Sequence, residues 1–331
     1  MKLSVLDLIS VSDNQTVREA IEAAMQGAEL VDALGYERLW FGEWHNTAAV
    51  ASTATDVLIA AAAARTTRIR LGAGGVMLPN HSPLVVAEHY GTLAQLFPGR
   101  IDLGIGRAPG TDPVTAHALR RSSQDPEDVM QNVRYIHRWL DTGTVGGIEV
   151  GVSAGTHVPL WALGSSTAGA LMAATLGLPF AFASHFAPEL MEFAIPLYRE
   201  RFDASAATAG VDKPYLQVAV NVLAAETSEE AQRQFTTTRN LFIDVQRTGN
   251  RLPLRAPADL DPNVSELELA RVETQLAVRA VGTPDEVLAK LEEIAARYGA
   301  DEIITVTYAH DPSVRRRSLE LVAEAAGLPR A

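Results

Sequence analysis

Short runs of apolar residues alternate along the chain with stretches in which apolar residues recur at helical spacing. The runs predict eight strands, over residues 3–9, 38–41, 69–73, 101–105, 158–163, 180–183, 216–223 and 302–307. Between most of them, apolar residues recur every three or four positions, which predicts helices. Eight strand–helix units in 331 residues favour an α/β fold, a (β/α)8 TIM barrel with loop insertions. A doubly wound open sheet is the alternative.

Local signals support the barrel. Thr16 and Glu19 have the spacing of a capping box, which predicts the start of the first helix. Three units share one design, in which a helix ends at Gly35, Gly177 or Gly299 and an apolar strand and then a histidine follow. Such repetition is typical of a barrel built from similar βα units.

No stretch has the composition of an interdomain linker, so we expect residues 1–331 to form a single domain. The least regular segment covers residues 248–265 and contains Pro253, Pro257 and Pro262. An insertion of this length in a compact fold is more often functional than idle, and we predict that it is a lid.

Composition excludes several classes of function. The absence of cysteine excludes disulfide scaffolds, thiolate zinc sites, iron–sulfur clusters and cysteine nucleophiles. A net charge of −12 argues against binding to nucleic acid. The longest apolar run, residues 57–64, is far shorter than the roughly 20 residues that span a bilayer, and the first residues do not resemble a signal peptide. We therefore expect a cytoplasmic protein with no membrane partner.

In a barrel, polar side chains that directly follow strands are the candidates for chemistry, because active sites lie at the carboxyl ends of the strands. Any one of them can instead be a lone rim residue with a hydrogen-bond partner. The candidates are Asp7, Glu43, Trp44, His45, Asn46, Asn80, His81, Arg107, Ser165, Ser166, His185 and His310.

Two kinds of catalytic site lack their usual spacing. Glu43 and His45 lie two residues apart, and no H-x-x-x-H or H-x-E pattern accompanies them, so we expect no metal. Ser165 follows a strand, but its surroundings lack the second glycine of the G-x-S-x-G motif of hydrolases.

Residues 104–110 contain glycines typical of dinucleotide sites, yet Pro109 and Gly110 break the chain where a helix should start.

A phosphate site fits residues 164–167 better. A strand ends at Gly164, the hydroxyls of Ser165 and Ser166 follow, and a helix begins, so N–H and O–H groups point to one spot. Simple capping of the helix by these hydroxyls is an equally good interpretation. Arg107 would supply a fixed charge, or else form a rim salt bridge. Ala73, Gly74 and Gly75 after the third strand would let a flat ring lie against the backbone, or form a tight loop.

Four blocks of sequence together resemble the bacterial luciferase-like, flavin-dependent monooxygenases, and most closely the single-chain subgroup similar to alkanal monooxygenases. The resemblance covers almost the whole chain. The blocks are RLWFGEWHN at 38–46, GGVMLPNHSP at 74–83, PGRIDLGIGRAPGTD at 98–112, and residues 164–186 with GSS at one end and SHF at the other.

This resemblance implies a barrel that binds FMN at its carboxyl-terminal mouth. Ala73 and Gly74 would lie against the isoalloxazine, where the family often has a cis peptide. Gly106 and Arg107 would meet the flavin and its phosphate. Further implied residues are Ser165 and Ser166 as phosphate ligands and Asp7, Trp44, His81 and His185 as substrate-pocket residues.

The family's Glu-His-His motif reads Glu43-Trp44-His45 in this chain. Because tryptophan replaces the histidine tied to catalysis in the luciferases, proton transfer would pass to His45 with Glu43, since histidine is the side chain that titrates nearest neutral pH. A second departure is Gly169, where relatives often have a hydroxyl on the phosphate.

The resemblance also implies partners. Reduced FMN would come from a separate flavin reductase, the substrates would be O2 and an aldehyde- or ketone-type molecule, and the chain would form a homodimer. Two alternatives remain open. One is a deazaflavin-dependent oxidoreductase on the same barrel, and the other is a flavin-binding protein without turnover.

Overall fold

A computed structural model describes residues 1–107, 113–119 and 126–330, and in them eight parallel strands form a closed barrel. The predicted (β/α)8 fold is therefore confirmed. The strands of the described residues are β1 (Lys2–Asp7), β2 (Arg38–Phe41), β3 (Arg70–Met77), β4 (Ile101–Gly106), β5 (Thr144–Val145), β6 (Ile148–Glu149), β7 (Leu160–Gly164), β8 (Phe180–Phe182), β9 (Leu216–Ala224), β10 (Arg279–Gly282) and β11 (Glu302–Val306).

Helices alternate with the strands and surround the barrel. They are α1 (Val17–Ala33), α2 (Thr55–Ala63), α3 (Pro83–Leu96), α4 (Pro113–Ala118), α5 (Pro126–Asp141), α6 (Thr167–Thr175), α7 (Met191–Glu200), α8 (Ser228–Thr248), α9 (Glu266–Gln275), α10 (Pro284–Tyr298) and α11 (Pro312–Ala325). Residues 108–112, which belong to one of the sequence blocks above, lie outside the described residues.

The barrel order is β1-β2-β3-β4-β7-β8-β9-β11, and β11 pairs with β1 to close the ring. Strand β9 pairs with β8 through Leu216 and with β11 through Gln217. Its second half also pairs with β10, which lies outside the barrel, while β5 and β6 form a separate hairpin. All eight predicted strands correspond to the eight strands of the barrel.

The predicted helix ends are also present. Thr16 and Glu19 form the capping box of α1. Gly35, Gly177 and Gly299 have φ values of 91°, 63° and 60°, a left-handed conformation that favours glycine and ends the helices before β2, β8 and β11. These turns return the chain to the amino end of each strand, so the strand ends that follow all point to the same mouth of the barrel.

A buried charge cluster fills the amino end of the barrel. Arg38 Nη1 lies 2.7 Å from Asp102 Oδ2, and its Nε lies 2.8 Å from Glu302 Oε1. All three side chains are almost fully buried. These paired charges occupy the amino end of the barrel, and barrel active sites lie at the opposite, carboxyl end.

Residues 249–265 connect α8 to α9 and run beside the loop that follows β1. The backbone N–H of Leu254 donates to Val11 O at 2.9 Å, and the N–H of Asp13 donates to Leu254 O at the same distance. The segment is therefore fixed to the barrel mouth at its centre. Among the helices described, none combines the length and the apolar character of a membrane span.

Candidate active site

A cavity of about 340 Å³ opens at the carboxyl ends of the barrel strands. This volume lies in the range of small-molecule sites. Of the predicted site residues, the cavity is lined by Glu43, Trp44, Gly74, Gly106, Arg107, Ser165, Ser166 and His185. The structure thus brings together eight of the predicted site residues from separate segments of the sequence.

Alternation along the strands determines which residues reach this cavity. Successive side chains of a strand point to opposite faces. On β1, Leu6 lines the cavity whereas Val5 packs in the core beneath the helices. The inward residues of other strands form an apolar floor, and they include Trp40, Leu163, Ala219 and Ile304.

The same alternation places two predicted site residues outside the cavity. Asp7 lies on the outer face of β1, where its Oδ2 pairs with Arg315 Nη1 at 3.0 Å and its Oδ1 accepts from the N–H of Ile9 at 2.8 Å. Ala73 is fully buried in the core between β3 and the helices. Ala73 does not line the cavity, whereas Gly74 and Gly75, which follow it where the register of β3 shifts, do.

Ser166 and Arg107 create an anion site on one wall. Ser166 is the N-cap of α6 and its Oγ accepts from the N–H of Gly169 at 3.2 Å. Arg107 Nη2 donates to the same oxygen at 3.4 Å. Arg107 Nε is buried and has no hydrogen-bond partner among the described residues. Because an unpartnered buried donor is costly, this guanidinium fits a bound anion at the positive end of α6.

Glycines form the neighbouring wall. Gly74, Gly75, Gly106 and Gly164 line the cavity, and the peptide bond between Gly74 and Gly75 is cis. A Cβ built on Gly106 would meet a single heavy atom within 4 Å among the described residues, Val76 O at 3.6 Å. The wall is therefore open at Gly106, which leaves room for a planar ring system beside an anionic group.

A hydrogen-bonded group of three side chains lies at the ends of β2 and β3. Glu43 Oε1 is 2.6 Å from His45 Nε2 and 2.8 Å from His81 Nε2, while Glu43 Oε2 accepts from the N–H of Met77 at 2.9 Å. Burial raises the pKa of Glu43, but the hydrogen bonds from His45, His81 and Met77 outweigh it and hold the pKa at about 2. Glu43 is thus ionised, and both of its carboxylate oxygens accept hydrogen bonds.

Burial lowers the pKa of His81, but the hydrogen bond and the charge of Glu43 have the larger combined effect, so the pKa of His81 is raised. Glu43 lines the cavity, whereas His45 and His81 lie behind it. Sequence spacing did not indicate that His81 joins Glu43 and His45, because 38 residues separate it from Glu43.

These three side chains also place their ligand atoms within 4.8 Å of one another, as a metal site would. Tetrahedral zinc with ligands at about 2.0–2.1 Å holds them roughly 3.3 Å apart. The two N–O distances of 2.6 and 2.8 Å are shorter and match charge-assisted hydrogen bonds. We interpret the group as a hydrogen-bonded triad.

Two further polar groups face the cavity without partners among the described residues, His185 Nδ1 and Gln217 Oε1. Burial, helped by the positive charge of Arg251, lowers the pKa of His185 to about 3, so its imidazole is neutral. His185 also packs edge-on against Phe186. Gln217 and Arg251 were not predicted as site residues. Their positions depend on the tertiary fold rather than on a local motif.

Comparison with known proteins agrees with this architecture. The family model described as "Luciferase-like monooxygenase" matches residues 1–302. A protein of Escherichia coli strain K12 named "Luciferase-like monooxygenase" is 41% identical over 324 residues, covering 97% of this chain and 96% of that protein. The crystal structure of apo-MsnO8 superposes with a TM-score of 0.87 at 36% identity, covering 100% of this chain and 99% of that one.

Two more distant structures share the fold. The oxygenating constituent of 3,6-diketocamphane monooxygenase from Pseudomonas putida, solved with FMN, gives a TM-score of 0.69 at 18% identity over 98% of both chains. An F420-dependent secondary alcohol dehydrogenase, solved with an F420–acetone adduct, gives 0.69 at 15% identity over 100% of this chain and 99% of that one. At these identities the likeness concerns the fold alone.

Proposed function

The chain belongs to the luciferase-like monooxygenase family, and from that premise we propose that it uses reduced FMN and O2 to oxidise a small organic substrate of the aldehyde or ketone type. One observation carries the proposal. An anion site built from Arg107, Ser166 and the N-terminus of α6 adjoins an apolar, glycine-walled cavity. A molecule with a flat ring and a phosphate tail fits both features at once.

We assign the phosphate to Ser165, Ser166 and Arg107, whose donors and charge face the same part of the cavity. Gly74 and Gly106 lie against the ring, and Ala73 contributes only through its backbone beside them. Gly169 offers no hydroxyl at a position where the resemblance implies a donor to the phosphate. Reduced flavin, when bound, would supply the electrons that activate O2, with one oxygen atom entering the substrate and the other leaving as water.

Glu43 and His45 are the proposed proton-transfer pair. The carboxylate of Glu43 fixes the ring of His45 through its Nε2, which leaves Nδ1 as the free ring nitrogen in this pair. The apolar floor formed by Leu6, Trp40 and Ile304 keeps water away from the reacting atoms. Trp44, His81 and His185 are the proposed residues of the substrate side, with His81 acting through Glu43.

We further propose that a separate reductase supplies the reduced flavin, since the sequence offers no nicotinamide-binding motif, and that the protein is a cytoplasmic homodimer. Light scattering on the purified protein tests the dimer.

Residues 248–265 remain the proposed lid, and a lid that excludes water is the expected use of such a segment over an oxygen-activating site.

Titration of the purified protein with reduced FMN and with reduced deazaflavin tests the cofactor. We expect reduced FMN to bind, and decanal then to raise O2 uptake above the amount of peroxide released. Preferential binding of the deazaflavin favours the alternative, a deazaflavin-dependent oxidoreductase. The deazaflavin to use in this titration is F420, on which one structural neighbour depends. If FMN binds but all of the consumed O2 appears as peroxide with every aldehyde supplied, the protein binds flavin without turning over a substrate.

A further inference from the structure

Arg251 brings a positive charge from the predicted lid into the cavity. Its guanidinium carbon lies 4.8 Å from the ring centroid of Trp44 and 5.6 Å from that of Tyr308. Its Nη1 donates to the hydroxyl of Tyr308 at 3.4 Å. The side chain lines the same cavity as the proposed flavin wall. Its guanidinium thus lies near two aromatic rings, on a side chain that lines the cavity.

No carboxylate of the described residues lies within 4 Å of Arg251. The charged side chains that line the cavity are Glu43, Arg107 and Arg251. Glu43 already accepts hydrogen bonds from His45, His81 and the Met77 backbone. Arg107 faces the anion site at Ser166. Arg251 is therefore a second cation in the cavity, without an acidic partner among the described residues.

The backbone around Arg251 is anchored on both sides. The hydroxyl of Thr47 donates to Arg251 O at 3.2 Å. Three residues later, Leu254 makes its two backbone hydrogen bonds to the loop after β1, and Arg255 pairs with Asp244 at 2.8 Å. The backbone position of Arg251 is consequently set by contacts that do not involve its own guanidinium. That arrangement leaves the guanidinium available to a ligand.

We propose that Arg251 binds the carboxylate of the substrate, so that the substrate class is an apolar molecule that carries one acid group. This inference rests on the proposed monooxygenase function. The rest of the cavity agrees with such a molecule, because Leu8, Trp40, Phe186 and other apolar side chains line it, and Arg251 is the cation that the anion site at Ser166 does not use. Trp44 supports the guanidinium through a cation–π contact with its ring.

Octanoate and 1-octanol form a matched pair of probes, since they share a chain length and differ in charge. We would measure their binding by calorimetry to protein loaded with oxidised FMN, for the wild type, Arg251→Gln and Arg251→Lys. Arg255→Gln is the control, because it makes the same change four residues along the same segment, on a side chain that does not line the cavity.

We expect Arg251→Gln to weaken octanoate binding by about tenfold or more, with octanol binding changed less than about twofold. Arg251→Lys should recover part of the loss, and Arg255→Gln should resemble the wild type. Equal binding of octanoate by the wild type and Arg251→Gln overturns the inference, and so does an equal loss for both probes, which indicates a packing role.

FMN affinity is the separate readout for the proposed function. If Arg251→Gln weakens FMN binding while octanoate binding is unchanged, the arginine serves the cofactor and the inference is wrong. If the wild type does not bind FMN, the proposed function fails, and octanoate binding to the wild type and to Arg251→Gln is then measured without FMN, which decides the role of Arg251 separately.

Discussion

Nε2 of His45 lies 2.6 Å from Oε1 of Glu43, and this carboxylate, not the imidazole, lines the cavity. The residue proposed to transfer protons is therefore held by a buried ionised group whose second oxygen is fixed by the backbone of Met77. Such support from a partner that is itself fixed is how active sites orient a histidine.

Replacement of His45 by alanine should lower turnover and spare cofactor binding. The imidazole lies behind Glu43, so its removal leaves the cavity lining intact. General acid–base groups contribute about 10²–10⁴-fold to a rate, and we expect a loss in that range for aldehyde oxidation. O2 uptake and peroxide release with decanal measure the coupled fraction. His89→Ala is the control, because His89 is exposed and pairs with Asp56 away from the cavity. Unchanged coupling in His45→Ala would remove this residue from the mechanism.

The Glu43 triad should make stability depend on pH in a defined window. The pKa of Glu43 falls from 4.5 to about 2 on folding, so its contribution is present above pH 4.5 and is lost as the pH falls toward 2. The pKa of His81 is raised, so its contribution is present below pH 6.5 and is lost as the pH rises through the folded value. Urea unfolding of the wild type and Glu43→Gln at several pH values measures the difference.

We expect this difference in the free energy of unfolding to be largest between pH 4.5 and 6.5 and to reach at most about 3 kcal/mol. Glu192→Gln is the control, because Glu192 forms an exposed ion pair with Arg297 and such pairs contribute about 0–1 kcal/mol. A Glu43→Gln difference that stays constant from pH 4 to 8 contradicts the interpretation of the triad.

The triad should also contain no metal. Its N–O distances are those of hydrogen bonds, and the carboxylate already has its second oxygen occupied by the Met77 N–H. We predict that protein purified without chelator has far less than one equivalent of zinc or iron by elemental analysis, and that EDTA leaves its Tm unchanged. Stoichiometric metal that Glu43→Gln removes would show that the cluster is a metal centre.

Two glycines of β4 should respond in opposite ways to a side chain. A Cβ on Gly106 has Val76 O at 3.6 Å as its one neighbour within 4 Å among the described residues, so Gly106→Val should fold normally while its methyl groups occupy the ring site. A Cβ on Gly104 would overlap the carbonyl oxygen of Ala73 and lie 2.7 Å from Leu163 Cδ1.

We expect Gly106→Val to keep the wild-type Tm and to bind FMN about tenfold or more weakly. Gly104→Ala should lose about 1–3 kcal/mol of stability. Thermal unfolding and FMN titration of both variants measure the two effects. If Gly106→Val binds FMN as the wild type does, the ring does not lie against this wall.

The barrel could be predicted from the sequence because each of its strands is a buried apolar run, and several of the preceding helices end at a glycine. Helix α8 was not predicted, since its buried face includes Gln234, Thr237, Thr238 and Asn240, which interrupt the apolar periodicity. Strand β10 is short and begins with Arg279, and it pairs outside the barrel. Helix α9 buries little more than Val272 and gave no clear pattern.

The cavity-lining part of the site could be predicted because strand ends converge at one mouth. The predictions placed Asp7 and Ala73 there as well, although strand alternation turns both to the outer face. Arg251 could not be found from the sequence, because a proline-rich segment has no periodicity that tells which side chain points inward. The hydrogen bond between His81 and Glu43 could not be predicted either, because it depends on contacts between neighbouring strand ends.

FMN affinity of Arg107→Met tests the central claim most directly, because this guanidinium has a buried Nε without a partner among the described residues. Arg18→Met, at an exposed position of α1, is the matched control. We predict that Arg107→Met binds FMN at least about tenfold more weakly, and riboflavin, which lacks the phosphate, as the wild type does. Equal FMN affinity in Arg107→Met, Arg18→Met and the wild type would contradict the placement of the flavin phosphate at this wall.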